Sequence, residues 1–411
     1  MRFALPAFDV AELTAFHLEN RVARALTWAM FVGLWAKLAV SVLLVQPVID
    51  AEADSFYSRA VDAMLLCAIF VGLATYADEL LRRAPLVLAG VPLVLASFMT
   101  TEVLTLDGFA LTTFEYLKIV TPLLMSAVLL RLFEREPALV VRLMQLTLAI
   151  VWLGVIGALL FLPPSLNRGG EPFWPVYFAS LHTSSYLVVV CAGLSLYLYE
   201  ADHFGKRLFI AQILFSFVLV FHGWGVRTSM VAAVAFGLVY FFQHSRKAAL
   251  VVFLTIVAVL TLAYLPLLFG VVHLPSWDEM VELSSGRMSM WLQKADILAN
   301  STLLEWLFGH GEGSDWIVSE IWWWSAKDSH NDLIRLLNQQ GLLGLGGVLW
   351  LLWVWARLFP AGVAAPLLAA LLASTAFSNG IMFRPQAGLL MPLALVAAAD
   401  AWQRRQAGRA A

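Results

Sequence analysis

The fold is decided by a polar stretch that contains Ser285-Gly286-Arg287-Met288-Ser289-Met290-Trp291, then Phe308-Gly309-His310-Gly311-Glu312-Gly313, and then Asp328-Ser329-His330-Asn331-Asp332-Leu333. This stretch runs from Val271 to Arg335, and long apolar runs make up most of the chain on either side. Polar segments of this density do not lie in the hydrocarbon of a bilayer. We therefore expect one large loop outside a bundle of membrane-spanning helices.

Composition places the chain in the membrane class. Of its 411 residues, 61% are hydrophobic and 13% are charged, whereas a soluble domain is about half apolar and about a quarter charged. The net charge of -2 and the lack of a long basic tract indicate no nucleic-acid partner. Membrane lipid is the expected surrounding.

Apolar runs long enough to cross a membrane, roughly 20 residues each, predict about twelve spans. They lie near 26–46, 60–77, 84–101, 112–133, 138–162, 176–199, 208–223, 226–243, 248–270, 336–358, 361–382 and 385–402. Residues 1–270 would thus hold spans one to nine, 271–335 the large loop, and 336–411 spans ten to twelve with a C-terminal tail. The predicted fold class is an all-α polytopic membrane protein.

The distribution of Lys and Arg predicts the orientation. With both termini cytoplasmic, the inside loops hold about twice as many Lys and Arg residues as the outside loops, in agreement with the positive-inside rule. The loop between spans nine and ten then lies outside.

Two outside arginines are candidates for anion binding. Arg287 follows Gly286 and opens a predicted helix, and Arg227 lies where span seven ends and span eight begins. A guanidinium beside the exposed N–H groups of a helix start is suited to hold a phosphate. The alternative is that each arginine reaches lipid headgroups or pairs with a loop acid such as Asp278 or Glu282.

His330 is a candidate general base. We expect it to begin a helix that continues into span ten, with Ser329 or Asn331 as cap, and to share an apolar face with Leu333 and Leu337. A half-buried imidazole at a membrane surface titrates near neutrality, which suits proton transfer. The alternative is a histidine that only packs between loop and bundle.

Three other features give weaker signals. His182, near the outer end of span six, is followed by small hydroxyl residues that either line a cavity or bond to their own helix. The glycine-rich segment 309–313 is predicted to be a turn, since no strand precedes it and no Lys-Ser/Thr follows. Lys37 lies within span one and requires a partner that the sequence does not identify. No His, Asp or Glu cluster has metal-ligand spacing, so neither a metal nor another cofactor is expected.

Taken together, these residues resemble the O-antigen ligase and O-antigen polymerase superfamily of bacterial envelope glycosyltransferases. The matching elements, in order, are Arg227-Thr228-Ser229, Ser285-Gly286-Arg287 with Trp291, Phe308-Gly309-His310-Gly311, His330-Asn331, and Gly341-Leu342-Leu343-Gly344. The similarity of order and spacing covers roughly residues 173–352, while the first five spans agree only in hydropathy.

The resemblance implies a GT-C-like helical fold in the bacterial inner membrane. It also implies a donor glycan on undecaprenyl diphosphate, used at the periplasmic face without a metal. Arg287 and Arg227 would hold the diphosphate, His330 would take the proton of the acceptor hydroxyl, and Asn331 would orient that acceptor. Arg168 and His182 match less closely and are carried as cavity or diphosphate residues.

Several functions remain open at this point. A ligase transfers the glycan to a lipid A-core sugar, whereas a polymerase transfers it to another lipid-linked repeat unit. The motifs report the shared donor side, and the short chain with a single large loop favours the ligase type. A polytopic transporter or lipid-glycan flippase also fits twelve spans, although such proteins usually carry paired repeats and polar groups near the midplane. A non-catalytic scaffold would not require Arg287 and His330.

Overall fold

The computed structural model describes residues 10–43, 56–105, 109–166, 172–176, 180–245, 247, 250, 254, 276–283, 286–318 and 328–410. These residues fold mainly as helices. The helices are α1 (Val10–Leu43), α2 (Phe56–Thr75), α3 (Ala77–Arg83), α4 (Pro85–Thr105), α5 (Phe109–Arg135), α6 (Pro137–Phe161), α7 (Leu181–Glu200), α8 (Lys206–Val218), α9 (Arg227–His244), α10 (Trp277–Leu283), α11 (Arg287–Ala299), α12 (Leu303–Phe308), α13 (Asp332–Arg357), α14 (Ala365–Phe377), α15 (Pro385–Gly388) and α16 (Met391–Ala410).

Shorter elements complete the described part of the chain. A π-helical turn (Leu219–Gly223) continues α8, and a 3-10 turn (Ile381–Phe383) precedes α15. Strands β1 (Ser165–Leu166) and β2 (Pro172–Phe173) form a small antiparallel hairpin in which Ser165 pairs with Phe173.

Seven of the described helices are long and apolar enough to cross a membrane. They are Asn20–Val42, Pro85–Thr105, Tyr116–Arg135, Pro137–Phe161, Leu181–Glu200, Lys206–Gly223 and Asp332–Arg357. The fold is therefore that of a helical protein consistent with several membrane spans. Every predicted span except the ninth overlaps a helix, and the ninth (248–270) lies mostly outside the described residues.

Polar bonds and close packing hold the helices together, which matters because lipid offers no hydrophobic driving force between spans. Trp355 donates its indole N–H to the Ser126 hydroxyl over 2.9 Å, connecting α13 to α5. The Ser195 hydroxyl on α7 donates to Gln212 on α8 over 2.9 Å. Gly347 of α13 lies against Val94 of α4, where an added Cβ would meet a Val94 methyl at 2.9 Å.

The partner of Lys37 is Asp62. The ammonium lies 2.7 Å from the carboxylate of Asp62 on α2, and the Lys37 side chain is only 3% exposed. The two residues lie on different helices and far apart in sequence, which is why the sequence alone did not identify the pair.

α13 is kinked at Gly341, where the turn at 309–313 contacts its backbone. Gly341 has φ 64 and ψ -168, so the helix is kinked there. The N–H groups of His310 and Gly311 donate to the carbonyls of Asn338 and Gln339 over 2.9 and 3.1 Å. The predicted turn at 309–313 is confirmed, since its three glycines all have positive φ, and its role is to bond backbone groups at the kink.

Part of the predicted large loop is helical. Residues 276–318 contain α10, α11 and α12, and α12 begins with a capping box between Thr302 and Glu305. α13 starts at Asp332 and continues through most of the predicted span ten (336–358) to Arg357. Several tryptophans of the predicted loop, at 322–324, lie outside the described residues.

The bundle has two polar ends, which α7 connects over about 30 Å. At the first, here called the His330 end, α7, α9 and α13 begin and α14 ends. At the second, here called the Glu200 end, α7 and α9 end, and Arg405 of α16 lies 3.2 Å from Glu200.

Candidate active site

His330 lies immediately before the cap of α13. The expectation that it begins the helix and shares its apolar face is wrong, because Asn331 is the N-cap and Asp332 the first helical residue. His330 has φ 46, a left-handed conformation that costs a non-glycine residue about 1–2 kcal/mol. This turn directs the chain so that the imidazole reaches Asp328 instead of lying along the helix.

Asp328 and His330 form a carboxylate–imidazole pair. The Nδ1 atom of His330 lies 3.1 Å from Oδ1 of Asp328, and the two side chains are 31% and 8% exposed. A carboxylate on Nδ1 favours the tautomer with its proton on that nitrogen, leaving a lone pair on Nε2. The pair therefore has the arrangement of a general base with its orienting acid.

The surroundings of Asp328 keep it ionised. Burial acts against its charge, but the positive charge of His330, a hydrogen bond from Asn379, and the nearby guanidinium groups of Arg335 and Arg384 together lower its pKa. The Asn379 amide donates to Oδ2 over 2.6 Å. Asp328 is thus bound on both oxygens, by an imidazole on one and an amide on the other.

Three hydrogen bonds to two residues fix Ser329. Its carbonyl accepts the indole N–H of Trp291 over 2.7 Å, and its own N–H and hydroxyl donate to Asp315 over 2.8 and 3.0 Å. Since Ser329 lies between Asp328 and His330, these bonds determine where both side chains of the pair are placed.

A buried ion pair lies beneath Ser329. Lys294 of α11 and Asp315 are both fully buried, with 3.0 Å between the ammonium and a carboxylate oxygen. Burial lowers the pKa of Lys294 and raises the pKa of Asp315, because both charged forms lose solvation, and their mutual attraction opposes both shifts. Lys294 thus connects α11 to the segment that carries His330.

Asn331 holds the start of α13. Its side-chain oxygen accepts the N–H groups of Leu333 and Ile334 over 3.1 Å each, and its amide donates to the Ala376 carbonyl over 2.7 Å. The first bonds cap α13, and the last ties it to the end of α14. In this geometry Asn331 positions the neighbouring His330, and its predicted contact with an acceptor remains a prediction.

Arg287 reaches the same helix end as Asn331. It begins α11 after Gly286, whose φ is 77, as the sequence predicts. Its guanidinium donates to the Phe377 carbonyl over 3.3 Å, next to the Ala376 carbonyl that Asn331 contacts. Two consecutive carbonyls at the C-terminal end of α14 therefore bring Arg287 close to the His330 segment.

Arg227 lies exposed at the start of α9, as predicted. Thr228, the next residue, accepts the hydroxyl of Tyr186 on α7 over 2.7 Å, and Tyr186 also bonds Ser378. Since Ser378 directly follows the Phe377 carbonyl that Arg287 contacts, Arg227 is connected to the same region. The two candidate arginines thus occupy the same end of the bundle as His330.

His182 lies on the first turn of α7, half-buried, with its ring 6.4 Å from that of Tyr186. It therefore also belongs to the His330 end. Arg168 lies outside the described residues, and so its predicted role rests on the sequence alone.

Arg384 is a residue that the sequence reasoning missed. It donates to the Asn379 carbonyl over 3.4 Å and to the Ser180 hydroxyl over 3.5 Å, and its charge acts on Asp328 and Asp332. The available signal was its place among the few outside cations, in the turn between the last two predicted spans.

Two acids with buried side chains, Asp332 and Glu312, lie close to the pair. Asp332, fully buried, accepts the Gly380 N–H over 2.7 Å. Arg335 lies 3.4 Å from Glu312 and 5.0 Å from the ring centre of Phe383. Together with Arg384, these groups connect the start of α13 to the turn after α14.

The electrostatics of the His330 end suit an anion. Several helices start there, and helix N-termini carry partial positive charge. The arginines at this end are Arg227, Arg287, Arg335 and Arg384. Within the described ranges, no three His, Cys, Asp or Glu side chains are grouped as a metal site.

Comparison with known proteins identifies no relative: no protein-family model matches the chain, and neither curated proteins nor solved structures show a significant match. Function is therefore argued from the site itself.

Proposed function

We propose that this protein is a membrane glycosyltransferase of the O-antigen ligase and polymerase type. It would move a glycan from undecaprenyl diphosphate to an acceptor hydroxyl. The observation that carries this proposal is the Asp328–His330 pair, which lies at the same end of the bundle as Arg287 and Arg227. A base and cations for a diphosphate are the two groups that such a transfer needs.

In the proposed reaction, Nε2 of His330 accepts the proton of the acceptor hydroxyl. The hydroxyl oxygen forms a bond to the anomeric carbon of the donor sugar, and the bond from that carbon to the diphosphate oxygen breaks. The bonding electron pair leaves with undecaprenyl diphosphate, and the proton on His330 passes to solvent. Asp328 supports the first step, since its negative charge stabilises the imidazolium that forms.

The leaving group gains negative charge as the bond breaks, and positioned cations lower that barrier. Arg287 and Arg227 are the proposed diphosphate ligands, with His182 and Arg168 as further candidates. We assign Arg384 and Arg335 a supporting role, because the charge of Arg384 acts on Asp328 and Arg335 forms an ion pair with Glu312.

The proposed setting is the bacterial inner membrane, with both termini cytoplasmic and the His330 end at the periplasmic face. Support comes from the bias of Lys and Arg toward the opposite loops. We propose a lipid A-core sugar as the acceptor. A polymerase that joins lipid-linked repeat units would use the same donor chemistry and is the alternative.

The test is transfer by the purified protein, with an undecaprenyl-diphosphate-linked glycan and one of two acceptors, lipid A-core or a second lipid-linked glycan. Mass analysis of the product separates ligase from polymerase, and a parallel reaction with EDTA tests metal independence. We expect transfer with EDTA present, and its loss in His330→Ala and Arg287→Ala.

Arg82→Ala is the matched control, because Arg82 is exposed at the end of α3, outside the proposed site. Transfer that survives both site substitutions at normal protein levels would overturn the enzymatic proposal. Vectorial movement of the lipid-linked glycan without a new glycosidic bond would instead identify a flippase.

A further inference from the structure

An apolar groove lies between α6 and α8, with a cavity volume of about 930 Å³. Its walls include Leu148, Ile156 and Leu160 from α6 and Leu208 and Phe215 from α8. Leu160 is 70% exposed and Leu208 is 60% exposed. Because both helices are among those able to span a membrane, the groove opens toward lipid and is suited to hydrocarbon chains.

Two polar side chains interrupt the apolar wall: Gln212, which accepts from Ser195, and Trp152. Trp152 lines the groove and is 8% exposed, and its indole N–H is buried without a hydrogen-bond partner among the described residues. Its ring packs against Phe215 with 5.5 Å between centroids, which fixes its position. A buried donor without an acceptor is unfavourable, and so this N–H points to a ligand that carries an acceptor within its apolar part.

The groove ends in polar residues at the Glu200 end. Gln145 and His203 line it there, and the Gln145 amide donates to the His203 carbonyl over 2.6 Å. Arg404 lies 3.2 Å from the His203 ring. Gln145 precedes Trp152 by two helical turns, about 10 Å along α6. A single lipid could therefore place its headgroup at the polar end and an acceptor atom near the indole N–H.

The charge around this end is positive. Asp400 accepts from Arg404 and contacts His203, which neutralises one cation, and Asp202 supplies a second negative charge. Three further cations are exposed beside the groove: Arg142, Lys206 and Arg207. Arg142 lies one turn before Gln145, and Lys206 and Arg207 directly follow the lining residue Gly205. Basic clusters beside spanning helices favour anionic lipid headgroups.

We propose that this groove is a binding site for an anionic glycerophospholipid. Its acyl chains would lie along α6 and α8, an ester carbonyl would accept the Trp152 N–H, and the phosphate would lie among the cations. A polyprenyl chain would fill the apolar walls equally well, but it has no acceptor for the indole. This site is independent of the proposed transfer reaction, since it begins at the opposite end of the bundle from His330.

The test is native mass spectrometry of the purified protein with phosphatidylglycerol or phosphatidylethanolamine of identical acyl chains. We expect one tightly retained phosphatidylglycerol in the wild type and weaker retention of phosphatidylethanolamine. Trp152→Phe, which keeps the ring and removes the N–H, should weaken retention about fivefold, the size of one hydrogen bond. The double variant Arg142→Gln/Lys206→Gln should abolish the preference for phosphatidylglycerol.

Ala149→Trp fills the groove from α6 and should eliminate the retained lipid. Ala74→Trp, on the exposed face of α2, is the matched control and should leave it in place. Equal retention of both lipids by the wild type, unchanged retention in Ala149→Trp, or a polyprenyl lipid in the groove would each overturn the proposal. An unchanged lipid affinity in Trp152→Phe would overturn the assignment of the ester carbonyl.

Discussion

Replacing Asp328 with Asn would reverse the hydrogen bond to His330 with almost no change in shape. Asn379 donates to one carboxylate oxygen over 2.6 Å, and the other lies 3.1 Å from Nδ1 of His330. An amide has one acceptor and one donor group. With its oxygen bonded to Asn379, its NH2 group faces Nδ1, so that the His330 proton moves to Nε2, where the proposed base needs a lone pair.

The expected loss in kcat is about 100-fold to 1,000-fold, equivalent to about 3–4 kcal/mol. The same change in a buried serine-protease triad costs about 10⁴-fold through the wrong tautomer. We expect less here because the His330 side chain is 31% exposed, so water partly competes with the carboxylate. KM for the lipid-linked donor should change little, since Asp328 is not a proposed diphosphate ligand.

The assay is the initial rate of glycan transfer by purified protein over a range of donor concentrations. Asp296→Asn, on an exposed position of α11, is the matched control and should retain wild-type rates. A kcat for Asp328→Asn within twofold of the wild type, in folded protein, would refute the orienting role of Asp328.

The same substitution should also change how the thermal stability depends on pH. The pKa of Asp328 lies below its ordinary value of 3.8: burial opposes ionisation, but His330, Asn379, Arg335 and Arg384 outweigh it. A depressed pKa contributes stability that is fully present above 3.8 and is lost as the pH falls through the folded value. The difference in thermal unfolding midpoint between wild type and Asp328→Asn should thus shrink as the pH falls below about 4, where Asp328 takes up its proton.

Three further predictions concern other residues. Arg227→Ala should lower kcat/KM for the donor by about 10-fold to 100-fold, whereas Arg82→Ala should not. Lys294→Met leaves Asp315 without its buried cation and should destabilise the protein by about 3–5 kcal/mol in unfolding assays. Gly341→Ala should cost at least about 2 kcal/mol, because φ is 64 and the added Cβ would lie 2.5 Å from the Gly309 nitrogen. Gly346→Ala, which meets open space in the same helix, should gain up to about 1 kcal/mol; equal effects of the two alanines would contradict the packing described at the kink.

Hydropathy predicted where the long apolar helices lie, because each span is a local property of about 20 residues. The count of twelve spans stays a prediction. It did not predict the kink at Gly341. The N–H groups of His310 and Gly311 bond to the Asn338 and Gln339 carbonyls beside that kink, and they come from a distant part of the sequence. Nor did it predict that α14 would be only thirteen residues long. Both features depend on groups far apart in sequence.

In the candidate site, too, local features could be predicted from the sequence and contacts between separate segments could not. The helix start at Arg287 could be predicted because Gly286 precedes it, and Asn331 was one of the two caps considered. The Asp328–His330 pair could not be predicted, because two residues at this spacing meet only when the chain turns. The left-handed φ of His330, which produces that turn, has no signal in the sequence. The burial of Lys294 against Asp315 was missed because neither residue lies in an apolar run.

The most direct measurement of the central claim is single-turnover transfer by His330→Ala, with and without added imidazole. If His330 is the base, we expect transfer to fall about 100-fold or more and to recover in part when imidazole enters the vacated position. Donor binding should persist, because the proposed diphosphate ligands remain. Transfer at the wild-type rate without imidazole, in protein that folds and binds donor normally, would contradict the account.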